Sequence, residues 1–138
     1  MTKPITIEAV VNNSVENTWK FYTEPKHIVK WNAASPDWHS PKATNDVRVG
    51  GKFNIRMEAK DKSVGFDFEG TYTAVKQHEV LDYSLGDDRK VHITFTKHGN
   101  QTKVVIVFDA ETQNSIDLQR AGWQSILDNF KAYTEKQK

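Results

Sequence analysis

The paired glycine Gly50-Gly51 opens a strand of strict alternation, and that junction limits what this chain can fold into more than any other feature. After it, Phe53, Ile55 and Met57 fall on one parity while Lys52, Asn54, Arg56 and Glu58 fall on the other. That is the period of a strand with one buried face and one wet face. Two glycines let the backbone turn sharply and leave room for a neighbouring element to come close.

The same reading extends along the chain. Residues 4–11 alternate weakly through Ile5, Ile7, Ala9 and Val11, then give way to Asn12-Asn13-Ser14, whose serine is suited to cap a helix. Val15, Trp19 and Tyr22 recur at helical spacing. Glu24-Pro25 stops that helix, and Pro25 is placed to start a second short one reaching Trp31. Residues 32–50 hold Pro36, Pro41 and no period, so they are expected to form a long loop carrying Trp38. Strand patterns follow over 53–59, 66–75, 81–85, 91–97 and 103–109, joined by turns too short for crossover helices, which predicts an antiparallel meander. From Thr112 the period changes. Ile116, Trp123, Ile126, Leu127, Phe130 and Tyr133 fall on one face of a helix of about six turns. A long helix after a run of strands predicts an α+β fold with the helix across the sheet.

Four motifs in this order resemble the heat-shock-protein-90 ATPase activator homologue family. Residues 18–31 are similar to its opening "VW.a.tdpe.l..W", Asp46 to Phe53 to "D.R.GG.F", Gly70 to Val75 to "G.y.ev", and Gly122 to Phe130 to its closing "GW...L..L". The usual second Trp and Pro after the position of Trp31 are replaced by Asn32-Ala33-Ala34. The resemblance implies the helix-grip fold of the START and birch-pollen-allergen superfamily (SRPBCC): a curved antiparallel sheet of about six strands, two short helices, and a long C-terminal helix enclosing a cavity. It also implies two further roles to weigh, a stress-related or co-chaperone-like protein-interaction domain and a cavity enzyme of cyclase or dehydratase type.

Bulk properties narrow the function. The chain of 138 residues is expected to form a single domain over 1–138, large enough to bury a core without covalent staples. A net charge of +1 from 19 basic and 18 acidic residues gives no footprint for nucleic acid. Zero cysteines exclude disulfides, thiolate nucleophiles and thiolate metal sites. Neither a signal core nor an apolar run long enough to span a bilayer is present, so a cytoplasmic protein is expected.

The expected site is an aromatic-lined pocket for a small hydrophobic ligand, lipid-like or aromatic and polyketide- or flavonoid-like. Its strand residues share one parity: Phe53, Ile55 and Met57, then Phe66, Phe68 and Tyr72, then Tyr83, Ile93 and Phe95, and last Ile106 and Phe108. Trp123, Leu127 and Phe130 face them from the long helix, with Trp31 and Trp38 at the mouth. The same parity would equally make a filled core. No cofactor is expected, and no histidine pair has metal-ligand spacing, although His39 beside Trp38 is placed to serve a pocket mouth. No serine has a nucleophile-elbow context. Glu58, Asp67, Glu69 and Asp82 lie on the polar parity, where cross-strand charge pairs are expected. Catalytic residues are expected to be none. Asp46 and Arg48 are expected to pair at the entry to the glycine turn.

Overall fold

The computed structural model describes residues 4–137, so the N-terminal Met-Thr-Lys and Lys138 lie outside the described residues. The elements run β1 (Pro4–Val11), α1 (Val15–Thr23), α2 (Pro25–Trp31), β2 (Trp38–Asn45), β3 (Lys52–Ala59), β4 (Gly65–Lys76), β5 (Val80–Leu85), β6 (Lys90–His98), β7 (Gln101–Asp109) and α3 (Ile116–Glu135). Every strand pairs antiparallel with its neighbours in one seven-stranded sheet ordered β1-β7-β6-β5-β4-β3-β2, curled into a half-barrel. This is the α+β helix-grip architecture.

Local chemistry sets the boundaries. The Ser14 hydroxyl accepts from the Asn17 amide at 3.1 Å to cap α1, and the Ser115 hydroxyl accepts from Leu118 at 3.1 Å to cap α3. Pro25 stands in the first turn of α2, where its missing N–H costs nothing. In the glycine turn Gly50 takes φ +84°, and a Cβ on Gly51 would lie 2.1 Å from the Asp46 carbonyl oxygen. The turn is held to β4 by reciprocal bonds: the Gly50 amide donates to the Tyr72 carbonyl and the Tyr72 amide to the Gly51 carbonyl, each at 2.9 Å. Arg48 and Asp46 do pair at 2.8 Å, but both are largely exposed, so the bridge adds little stability.

Residues 38–45 form a seventh strand and not a loop. β2 pairs with β3 from Trp38 opposite Ala59 to Asn45 opposite Phe53, with a register shift between His39 and Lys42. Pro41 falls inside that irregular stretch of an edge strand, where a missing N–H is tolerated. The connection expected over 32–50 therefore shrinks to residues 32–37 before β2 and 46–51 after it.

The long helix is fastened at both ends. Asn13 Nδ2 donates to the Thr134 carbonyl at 3.0 Å near its C-terminus, while Gln119 Nε2 donates to the Glu111 and Asn114 carbonyls at 3.1 and 2.8 Å near its start. Between them Gln124 reaches the Glu8 carbonyl of β1, and Asn129 donates to the Ala33 carbonyl after α2. No helix among the described residues is long and apolar enough to cross a membrane.

Candidate functional site

Between α3, the end of α1 and α2, and the concave face of the sheet lies a cavity of about 240 Å³. The inward parity of the strands supplies Met57, Phe66 and Phe68, Tyr83 and Ile106; the inner stripe of α3 supplies Trp123, Ile126 and Leu127. Tyr22, Trp31 and Asn32 close it from the helical side, and Arg89, from the turn between β5 and β6, stands at its edge with 24% of its side chain exposed. A smaller void of about 50 Å³ continues toward Phe53, Ile55 and Tyr72. The two share Tyr22, Trp31, Asn32, Phe68 and Tyr83 in their linings, so they adjoin one another as a main lobe and a smaller, deep lobe.

Aromatic contacts hold the walls. Trp123 stacks on Phe108 with centroids 3.9 Å apart and planes 9° from parallel, and meets the edge of Phe68 at 6.0 Å. Phe130 wedges between Tyr22 and Trp31, 5.0 Å from each. Phe53 lies against Tyr83 at 4.7 Å and directly over Gly70, where a Cβ would come within 2.8 Å of its ring.

Of the residues expected at the site, Trp31, Met57, Phe66, Phe68, Tyr83, Ile106, Trp123 and Leu127 stand on the main wall. Phe53, Ile55 and Tyr72 stand on the deep lobe. Ile93, Phe95, Phe108 and Phe130 share the inward face but are closely packed behind it and border neither lobe. Trp38 is one ring removed, its centroid 6.0 Å from that of Phe66, which is itself 48% exposed at the mouth. Tyr22, Asn32, Arg89 and Ile126 border the main lobe without having been expected there. Tyr22 and Ile126 did lie on helical apolar stripes, which was a usable signal. Asn32 and Arg89 had none.

The polar groups around the cavity divide into satisfied and free. Trp31 Nε1 donates to the Phe21 carbonyl at 2.9 Å, Tyr72 donates to Asn45 Oδ1 at 2.6 Å, and Asn32 bonds Ser40 through both side chain and backbone. Burial pushes the Tyr72 phenol up to about 12 against the lowering effect of its Asn45 bond. Burial likewise raises Tyr22 and, well above its ordinary value, Tyr83, and each would be raised further by charge on a neighbouring tyrosine. All three remain neutral donors at physiological pH.

The carboxylates and histidines lie elsewhere. On the outer face Arg56 Nε meets Glu58 at 2.9 Å and its Nη1 meets Asp67 at 3.6 Å, Asn54 donates to Glu69 at 2.9 Å, and His92 contacts Asp82. His39 faces Glu58 at 3.8 Å on the same side. No Asp, Glu or His among the described residues borders either lobe. Nor does any group of three or more such residues stand close enough to hold a metal ion.

Residues 12–135 match the family described as Activator of Hsp90 ATPase homolog 1-like protein. The chain belongs to that family. Among curated proteins none matches it. Among solved structures it is similar to an Activator of Hsp90 ATPase homolog 1-like protein from Aeromonas hydrophila, with 44% identity, a TM-score of 0.92, and coverage of 98% of this chain and 94% of that one. A protein from Cytophaga hutchinsonii is 49% identical with a TM-score of 0.83, over 96% of this chain and 92% of that one. A protein from Nitrosomonas europaea at 17% identity and a TM-score of 0.82, covering 97% and 95% of the two chains, shares the fold. The Activator of Hsp90 ATPase homologue fold is that of a ligand-binding-domain family, and here it encloses an aromatic cavity.

Proposed function

We propose that the protein binds a small hydrophobic molecule, aromatic or lipid-like, in the cavity under α3 and releases it unchanged, with residues 1–138 acting as one domain. The observation that carries this reading is a void of about 240 Å³ walled by Trp31, Phe68, Tyr83 and Trp123 in the middle of an otherwise close-packed core. Native interiors leave few gaps larger than a water molecule, so a space of this size, partly open past Phe66 and Arg89, favours a ligand site over plain core. Its volume sets the scale. An engineered apolar cavity of ~150 Å³ holds benzene, whereas drug-sized ligands use roughly 300–1,000 Å³. The favoured occupant is therefore about two fused rings or a short acyl chain.

Turnover lacks a participant. Proton abstraction or dehydration needs a base within reach of the substrate, and the titratable side chains bordering the lobes are tyrosines held protonated and one arginine. A partner-protein role lacks a single face. The exposed large apolar side chains are scattered: Val10 on β1, Val49 before β3, Val64 and Phe66 at the start of β4, and Leu118 on α3.

The test is mass spectrometry of small molecules released from the purified native protein, with calorimetric titration against one- to three-ring aromatics and short-chain fatty acids. A co-purifying compound of that size, or saturable binding with one site per chain, is the expected outcome. An empty protein that binds no member of the panel overturns the proposal.

A further inference from the structure

Two hydroxyl groups at this cavity have no hydrogen-bonding partner among the described residues. Tyr22, on the apolar stripe of α1, and Tyr83, on the inward parity of β5, border both the main and the deep lobe. Tyr83 is only 6% exposed. Neither hydroxyl bonds any described residue, while their neighbours Tyr72, Trp31 and Asn32 are all satisfied from within the chain. A hydroxyl in a largely apolar surrounding is costly unless it finds a partner, and the open space that both residues border is the cavity.

We propose that the cavity selects a ligand carrying a carbonyl or hydroxyl oxygen, which the Tyr22 and Tyr83 hydroxyls hold where the two lobes meet while the ring system lies toward Trp123. The inference rests on the ligand-binding reading above and narrows it to neutral ketones and phenols of about two rings. Neutrality follows from the lining. An ionised carboxylate at the lobe junction would lose its hydration with no cation inside to replace it, because Arg89 stands at the partly exposed edge with Nε committed to Asp87 at 2.7 Å. In the empty protein a water can serve both hydroxyls, and a ligand oxygen takes over its bonds. A hydrocarbon of the same shape would displace that water without replacing them, which lowers its affinity.

Matched pairs test this: 1-tetralone against tetralin, and 2-naphthol against naphthalene, titrated into the full chain and into Tyr22→Phe, Tyr83→Phe and the double variant. A purely apolar pocket would prefer the hydrocarbons, which are less soluble in water. We expect the opposite order, with the oxygenated member bound at least about tenfold more tightly by the parent. Each Tyr→Phe change should shrink that ratio and the double variant should abolish or reverse it, with the hydrocarbons binding more tightly once no hydroxyl is left unpaired beneath them. The unliganded single variants should melt at or above the parent, because no bond within the protein is lost. Hydrocarbon preference in the parent, or a ratio that survives both substitutions, overturns the inference and leaves the cavity reading standing. A variant melting several degrees lower shows that its hydroxyl serves the fold, and also overturns it. A parent that binds none of the four compounds overturns this inference, and the cavity reading falls with it only if the wider panel of aromatics and fatty acids also fails to bind.

Discussion

At the scale of single residues, identical substitutions should act with opposite sign according to what surrounds them. A methyl group added at Gly51 meets the Asp46 carbonyl oxygen at 2.1 Å, a backbone atom that can move only by breaking the turn tied to β4. Gly51→Ala should therefore cost at least about 2 kcal/mol in a denaturant melt. Gly122 lies inside α3 with nothing within 4 Å of the added methyl, so Gly122→Ala should stabilise the protein by about 1 kcal/mol. Equal effects at the two sites would contradict this account. The tyrosines give a second residue-scale outcome. Burial holds the folded pKa of Tyr72 near 12 and raises Tyr22, Tyr83 and, more mildly, Tyr133, whereas an unfolded chain ionises at about 10. The folded state thus keeps protons that the unfolded state releases, so stability is intact below pH ~10 and falls as the pH climbs from there through about 12. Tyrosinate absorbance should consequently rise together with loss of the native circular dichroism. Absorbance rising near pH 10 from more than the partly exposed Tyr133, in a protein that is still folded, would mean that the other phenols are not enclosed.

At the scale of elements, period-2 alternation made β3, β5, β6 and β7 readable, because each buries one parity and leaves the other wetter, while β4 fully buries only Tyr72. β2 escaped that reading. Its one fully buried residue is the polar Ser40, it carries Pro41, and the register shift between His39 and Lys42 breaks whatever alternation remained. An edge strand with so little buried surface leaves almost no hydrophobic pattern to find. Hydrogen exchange should accordingly be slow at those β2 amides that pair with β3 and fast over 32–37; uniformly fast exchange from 32 to 50 would restore the loop. The stripe of α3 was legible, and it puts Trp123 on the inner face against Phe108. Since Trp123 also borders the void, part of its surface is already unpacked. Trp123→Ala should cost about 3 kcal/mol by denaturant melt, the low end for removing a large aromatic. A variant as stable as the parent would mean that the stack contributes nothing to holding the helix down.

At the scale of the whole molecule, parity told which side chains face α3 but not whether the space between them is filled. Ile93, Phe95, Phe108 and Phe130 obey the same pattern as Phe68, Tyr83 and Ile106, yet the first group is packed solid and the second borders open space. The difference arises from the curl of the sheet and from where α1 and α2 end, which decide how far the helices stand off the strands; no single segment encodes that distance. Ile106 is the position at which filled and hollow can be told apart. It is 4% exposed, sits centrally on β7, and borders the main lobe. In a close-packed core Ile106→Phe would force its neighbours apart and cost ~1–3 kcal/mol. Here the larger ring has vacant volume to enter, so the melting temperature should hold or rise while the affinity for two-ring ligands falls by at least about tenfold, a loss of about 1.4 kcal/mol. Melting and titration of parent and variant side by side separate the cases. A destabilised variant whose parent binds nothing would show that the apparent void closes in solution and that the helix simply covers an ordinary core.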